Sequence, residues 1–141
     1  MSKIIRKVIS TVKAPKAIGP YSQAVQVNHM LHISGQLGLN PETMDFVSND
    51  VQEQTKQALT NMKAILEAAG SSFANVVETT ILLADINDYK AVNDVYATFF
   101  KAPFPARAAF ECANLPKRGK VEIRAKAIVG PLEDIELSSK L

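Results

Sequence analysis

The sequence predicts an α+β protein: a single mixed sheet with two helices packed on one of its faces. Three observations predict it. Apolar patterning gives the element order β-β-β-α-β-α-β-β. The two helical segments flank one β-branched run, so both can cover the same side of one sheet. Strand and helix do not alternate regularly along the chain, which excludes the doubly wound class.

Residues 3–10 alternate, with Ile5 and Ile9 against Ile4 and Val8, and read as a strand. The two prolines and glycine of residues 14–20 make a loop. Residues 23–28 and 30–34 read as two strands joined at Asn28-His29, where Asn tolerates left-handed turn geometry. Gly35, Gly38, Asn40 and Pro41 then break the chain. Residues 50–69 form the strongest helix, with Val51, Ala58, Met62, Ile65, Leu66 and Ala69 on one stripe. Asn49 with Gln52, or Asp50 with Glu53, makes a capping-box pattern, and Gly70 fits the position after the last turn. The run at 76–84 is β-branched and apolar, as in a central strand. Residues 88–100 form the second helix, capped by Asn87 or Asp88, with Val92, Val95, Tyr96 and Phe99 inward; Pro103 and Pro105 end it. Residues 107–113 and 121–129 are the last strands, joined by a turn at 116–120.

The chain has 141 residues, 47% apolar and 21% charged, which is one ordinary globular domain over residues 1–131. Residues 132–141 lose the alternation and read as a mobile tail. The net charge of 16 − 14 = +2 is too small to imply nucleic acid or a membrane. No apolar stretch of about 18 residues exists to span one. Charges interrupt residues 1–12, unlike the apolar stretch of a signal peptide. One cysteine and two histidines give no disulfide framework and no zinc spacing, so no structural metal is expected and the compartment reads as reducing.

No phosphate-cradling glycine loop or nucleophile elbow is present. The candidates are polar residues in apolar strands. Arg107 opens a strand of small residues, and a guanidinium there must find an anion. It either pairs with a carboxylate such as Glu111 or Glu78, or grips a ligand carboxylate in its planar fork. Glu122 shares a strand face with Arg124 and Lys126. It is either part of a solvated face or a carboxylate that orients and deprotonates water. Gly35, beside Ser34, admits close backbone approach, and Tyr21 offers an aromatic wall and a hydroxyl; both segments can equally be plain turns. Cys112 shares a face with Phe110 and Ala108 and reads as a small core residue. His29 reads as a turn residue and His32 as structural. Lys117, Arg118 and Lys120 form a basic turn, either solvated or contacting phosphate or RNA; no aromatics are interleaved for base stacking.

Five segments together resemble the RidA family of reactive intermediate deaminases, also described as perchloric-acid-soluble translation inhibitors. They are Ala-Ile-Gly-Pro-Tyr-Ser-Gln at 17–23, Ile-Ser-Gly-Gln at 33–36, Asn-Met-Lys-Ala-Ile-Leu-Glu-Ala-Ala-Gly at 61–70, Phe-Pro-Ala-Arg-Ala-Ala at 104–109, and Leu-Pro-Lys with Val-Glu-Ile at 115–123. The match covers about residues 4–131, and its wording is most similar to the animal members. The resemblance implies a chorismate-mutase-like trimeric fold with substrate clefts between subunits. It implies cofactor-free hydrolysis of 2-imino and 2-enamino acids, favouring 2-iminobutanoate and 2-iminopropanoate, to 2-oxo acids and ammonia. Carried over by motif, Arg107 binds the substrate carboxylate and Glu122 positions the attacking water. Tyr21, Ser34 and Gly35 line the cleft, and Asn93 lies near it. Many bacterial relatives carry cysteine where this chain has Ala109, so Cys112 inherits no catalytic role. The resemblance also carries an alternative, an RNA-acting translation inhibitor or chaperone-like binding protein. It places the family in the cytoplasm. The closing tripeptide Ser139-Lys140-Leu141 matches the peroxisomal address and points to a second pool there.

Overall fold

The computed structural model describes residues 1–139; Lys140 and Leu141 of the address tripeptide lie outside them. Strands β1 (Arg6–Ile9), β2 (Ala24–Val27) and β3 (Met30–Leu37) precede helix α1 (Val51–Ala68). Strand β4 (Val76–Leu83), helix α2 (Tyr89–Phe99), β5 (Ala106–Glu111) and β6 (Val121–Ile128) follow. The six strands form one sheet in the order β1-β2-β3-β6-β4-β5. Only β4 and β5 run parallel, because α2 connects them as a crossover.

Local chemistry sets the boundaries. Asn28 takes φ 53° in the tight turn between β2 and β3. Asp50 caps α1, its Oδ2 accepting from Glu53 N at 3.0 Å. Gly70 ends that helix at φ +77°. In α2 the cap differs from expectation. Asp88 makes no side-chain cap bond; Asp85 instead accepts from Asn87 N in the single 3-10 turn before the helix. Strand β3 also runs past Gly35 to Leu37, its register with β6 slipping between Ile33 and Gln36. The glycine there makes a bulge, not a break.

Both helices cover one face. Leu59, Met62, Ile65 and Leu66 of α1 and Val92 and Tyr96 of α2 pack on Ile33, Ile81, Leu83, Val121 and Ile123 in one core. No described helix covers the other face. There β6 presents Glu122, Arg124 and Lys126, β3 presents His32, and β5 presents Ala108 and an exposed Phe110. This corrects the reading of Cys112. It lies just beyond β5, partly exposed, its N–H donating to the Leu83 carbonyl. The face of Ala108 and Phe110 is the uncovered one, so a residue in phase with them does not enter the core. No described helix is long and apolar enough to cross a membrane. Residues 131–139 are exposed and form neither helix nor strand.

Candidate active site

The six candidate residues fall into two groups on opposite faces of the sheet. The first lies on the uncovered face, around a concavity of about 680 Å³ lined by Tyr21, Ser34, Gly35, Glu122, Arg124 and Lys126 among others. The carboxyl of Glu122 sits against the Gly35 bulge. A Cβ on Gly35 would lie 2.7 Å from Glu122 Cδ, so glycine there makes room for the carboxylate. Burial among these walls pushes the Glu122 pKa up, and the Arg124 charge opposes that shift in part. Ser34 Oγ donates to the Ser22 carbonyl at 2.6 Å, and Ser34 N to the Gln23 carbonyl. The Ser34 hydroxyl thus fixes the loop carrying Tyr21, whose ring is half exposed at the rim.

The second group lies on the helix side of the edge strand. Arg107 pairs in register with Thr79, whereas Glu122 pairs with Leu82. Residues 79 and 82 of β4 differ by an odd number and so point to opposite faces. Arg107 makes neither expected ion pair. Glu78 bonds Lys126 at 3.7 Å, and Glu111 Oε1 accepts from Ile86 N. Instead the guanidinium lies over the rings of Tyr96 and Tyr89, 4.8 and 5.6 Å from their centroids. Its Nη2 donates to Tyr89 Oη at 2.8 Å. Burial raises the Tyr96 pKa, and Thr79 Oγ1 bonds its hydroxyl at 2.9 Å. Asn93 and Arg107 together lower the Tyr89 pKa. Among the described residues no carboxylate neutralises Arg107.

Sequence reasoning missed both tyrosines. Tyr89, Asn93 and Tyr96 recur at spacings of four and three, one helix face, and that spacing beside an arginine was the available signal. It also missed the polar core of α1. Asn61 is fully buried and donates to the Leu37 and Leu39 carbonyls at 3.1 and 2.9 Å. Gln54 donates to the Ser48 carbonyl and accepts from Lys120 N, two residues before Glu122. In the basic turn, Lys117 Nζ donates to the Met44 carbonyl, and Lys117 and Arg118 take φ 55° and 59°.

The family model described as Endoribonuclease L-PSP matches residues 11–129. The chain belongs to the RidA/L-PSP family. A human member, 2-iminobutanoate/2-iminopropanoate deaminase, is 58% identical over 137 residues, covering 97% of this chain and all of its own. Among solved structures, RidA from an Antarctic Psychrobacter species is 45% identical with a TM-score of 0.85, covering 87% of this chain and 99% of its own. E. coli TdcF with bound serine is 41% identical with a TM-score of 0.82, covering 86% and 98%. The RidA fold is therefore that of this chain: a six-stranded mixed sheet with both helices on one face, as the sequence predicts.

Proposed function

We propose that this chain hydrolyses 2-imino acids, in equilibrium with their 2-enamino tautomers, to 2-oxo acids and ammonia. The observation that carries the reading is its 58% identity, over nearly its whole length, to proteins named for that activity on 2-iminobutanoate and 2-iminopropanoate. The geometry supplies the groups the reaction needs. Arg107 offers an unneutralised planar fork to a carboxylate. Glu122 offers a carboxyl whose raised pKa suits proton transfer. Water adds to C2 of the imine while Glu122 takes its proton and passes it to the nitrogen. The carbinolamine then loses ammonia as its hydroxyl proton follows the same route to nitrogen, leaving the 2-oxo acid. Holding carboxylate and water in place is most of the task, because the substrate hydrolyses unaided.

A substrate of a few carbons cannot touch Arg107 and Glu122 of one protomer across the thickness of the sheet. The reading therefore includes an oligomer, a homotrimer as the resemblance implies, in which the concavity of one copy meets the edge strand of the next. The exposed Phe110 and the bare sheet face are suited to such burial. Ammonia release from enzymatically generated 2-iminobutanoate, with and without the protein, tests the activity. No acceleration over the spontaneous rate overturns it.

The family description and the exposed basic turn favour one other reading, action on RNA. Replacing Lys117, Arg118 and Lys120 with Gln should leave imine hydrolysis intact. Loss of hydrolysis in that variant would count against the site described above. With Leu141 as the carboxy-terminal residue, the reading extends to location: a cytoplasmic protein with a peroxisomal pool addressed by Ser139-Lys140-Leu141. An N-terminal fluorescent fusion should be punctate beside a peroxisomal marker and diffuse once the tripeptide is removed.

A further inference from the structure

The Tyr89 hydroxyl has no part in the chemistry above, yet it touches the group that carries it. Tyr89 opens α2 with its side chain 41% exposed. Its Oη accepts from Arg107 Nη2 at 2.8 Å. Asn93, one turn further along the helix, and Arg107 together lower the Tyr89 pKa. A phenol oxygen accepts two hydrogen bonds and donates one, and a guanidinium accepts none. With Arg107 donating to the oxygen, the hydroxyl hydrogen points away from the guanidinium. No described side chain takes it. It borders the same Nη2 whose second N–H remains for an incoming anion.

We infer that Tyr89 is a second donor to the substrate carboxylate, closing with Arg107 a two-residue clamp. The inference rests on the proposed imine hydrolysis for the identity of the carboxylate. A carboxylate oxygen held by Nη2 lies beside the tyrosine O–H and takes a charge-assisted hydrogen bond from it. A phenol whose pKa is lowered by its neighbours gives a stronger bond of that kind. The clamp selects for acids: a neutral imine gains nothing from either residue, whereas a 2-imino acid engages both.

Tyr89→Phe tests this, because it removes one oxygen and keeps the ring over Arg107. The expected result is a KM for 2-iminobutanoate about three- to tenfold higher, the worth of one hydrogen bond, with kcat within about twofold. The Kd of 2-oxobutanoate, read by NMR titration, should rise by the same factor. In an Arg107→Ala background, Tyr89→Phe should still weaken 2-oxobutanoate binding, which a tyrosine acting only through the arginine would not do. An unchanged KM and Kd in Tyr89→Phe overturns the clamp, as does an effect that vanishes in the Arg107→Ala background. If wild-type protein releases no ammonia, the proposed activity fails instead, and the 2-oxobutanoate titrations still decide the clamp.

Discussion

Arg107 and Glu122 differ in how each environment prepares its charge. Arg107 rests half-buried on two aromatic rings, with no carboxylate among the described residues paired to its fork. Arg107→Lys keeps the charge but loses the fork, so most activity should disappear while the circular dichroism spectrum and Tm stay near wild type. Burial opposes the ionisation of Glu122. Its folded pKa is raised, so between the unfolded and folded values the native state binds more protons than the unfolded one. Stability therefore falls as pH rises through that window. Glu122→Gln removes the cost, so its Tm at pH 7 should equal or exceed wild type, while activity drops on the order of 10²–10⁴-fold. The acidic limb of the pH–rate profile should lie above the ordinary carboxylate value and vanish in that variant. Gly35→Ala separates space from charge. The nearest atoms to the added methyl are Cγ, Cδ and Oε1 of the Glu122 side chain, not backbone, so the melting temperature should change little while turnover falls severalfold or more. A Tm drop as large as a core cavity gives would show that Gly35 serves the fold instead.

At the scale of elements, α1 holds the site from behind. Asn61 satisfies the carbonyls of Leu37 and Leu39 where β3 leaves the sheet. Gly38 lets that segment pass the helix: a Cβ there would lie 2.5 Å from Gln54 Cα and 2.6 Å from its carbonyl oxygen, atoms that cannot swing aside. Asn61→Ala should cost about 2–4 kcal/mol by urea titration, as two buried carbonyls lose their donors. Gly38→Ala should destabilise at least as strongly, in contrast to Gly35→Ala three residues earlier. Much at this scale was legible in the sequence. The Asp50 cap, the Asn28 turn, the end of α1 at Gly70 and the run of β4 follow from local chemistry. The bulge in β3 was not, because a glycine in a strand and a glycine in a turn read alike until the partner strand sets the register. Nor was the face of β5, because an edge strand with apolar residues at both parities has no stripe to orient it.

For the whole molecule, the register decides what the motifs leave open. The segments around residues 21, 34, 107 and 122 point to one chemistry, but pairing to β4 sends Arg107 and Glu122 to opposite faces. A linear sequence carries no information on that parity once strands separated by a helix are matched across a third. If the two half-sites belong together the protein must be an oligomer, and for the proposed homotrimer light scattering at micromolar concentration should give three times the 15.3 kDa chain mass. Mass alone does not join the half-sites; mixing does. Arg107→Lys and Glu122→Gln, each nearly inactive, are unfolded together at equal concentration and refolded into mixed oligomers. If each site takes Arg107 from one copy and Glu122 from the next, about one site in four pairs two intact residues by random assortment. Ammonia release from 2-iminobutanoate should then recover to about a quarter of the wild-type rate. A mixture no more active than the two variants apart contradicts the shared site and places the chemistry within a single chain.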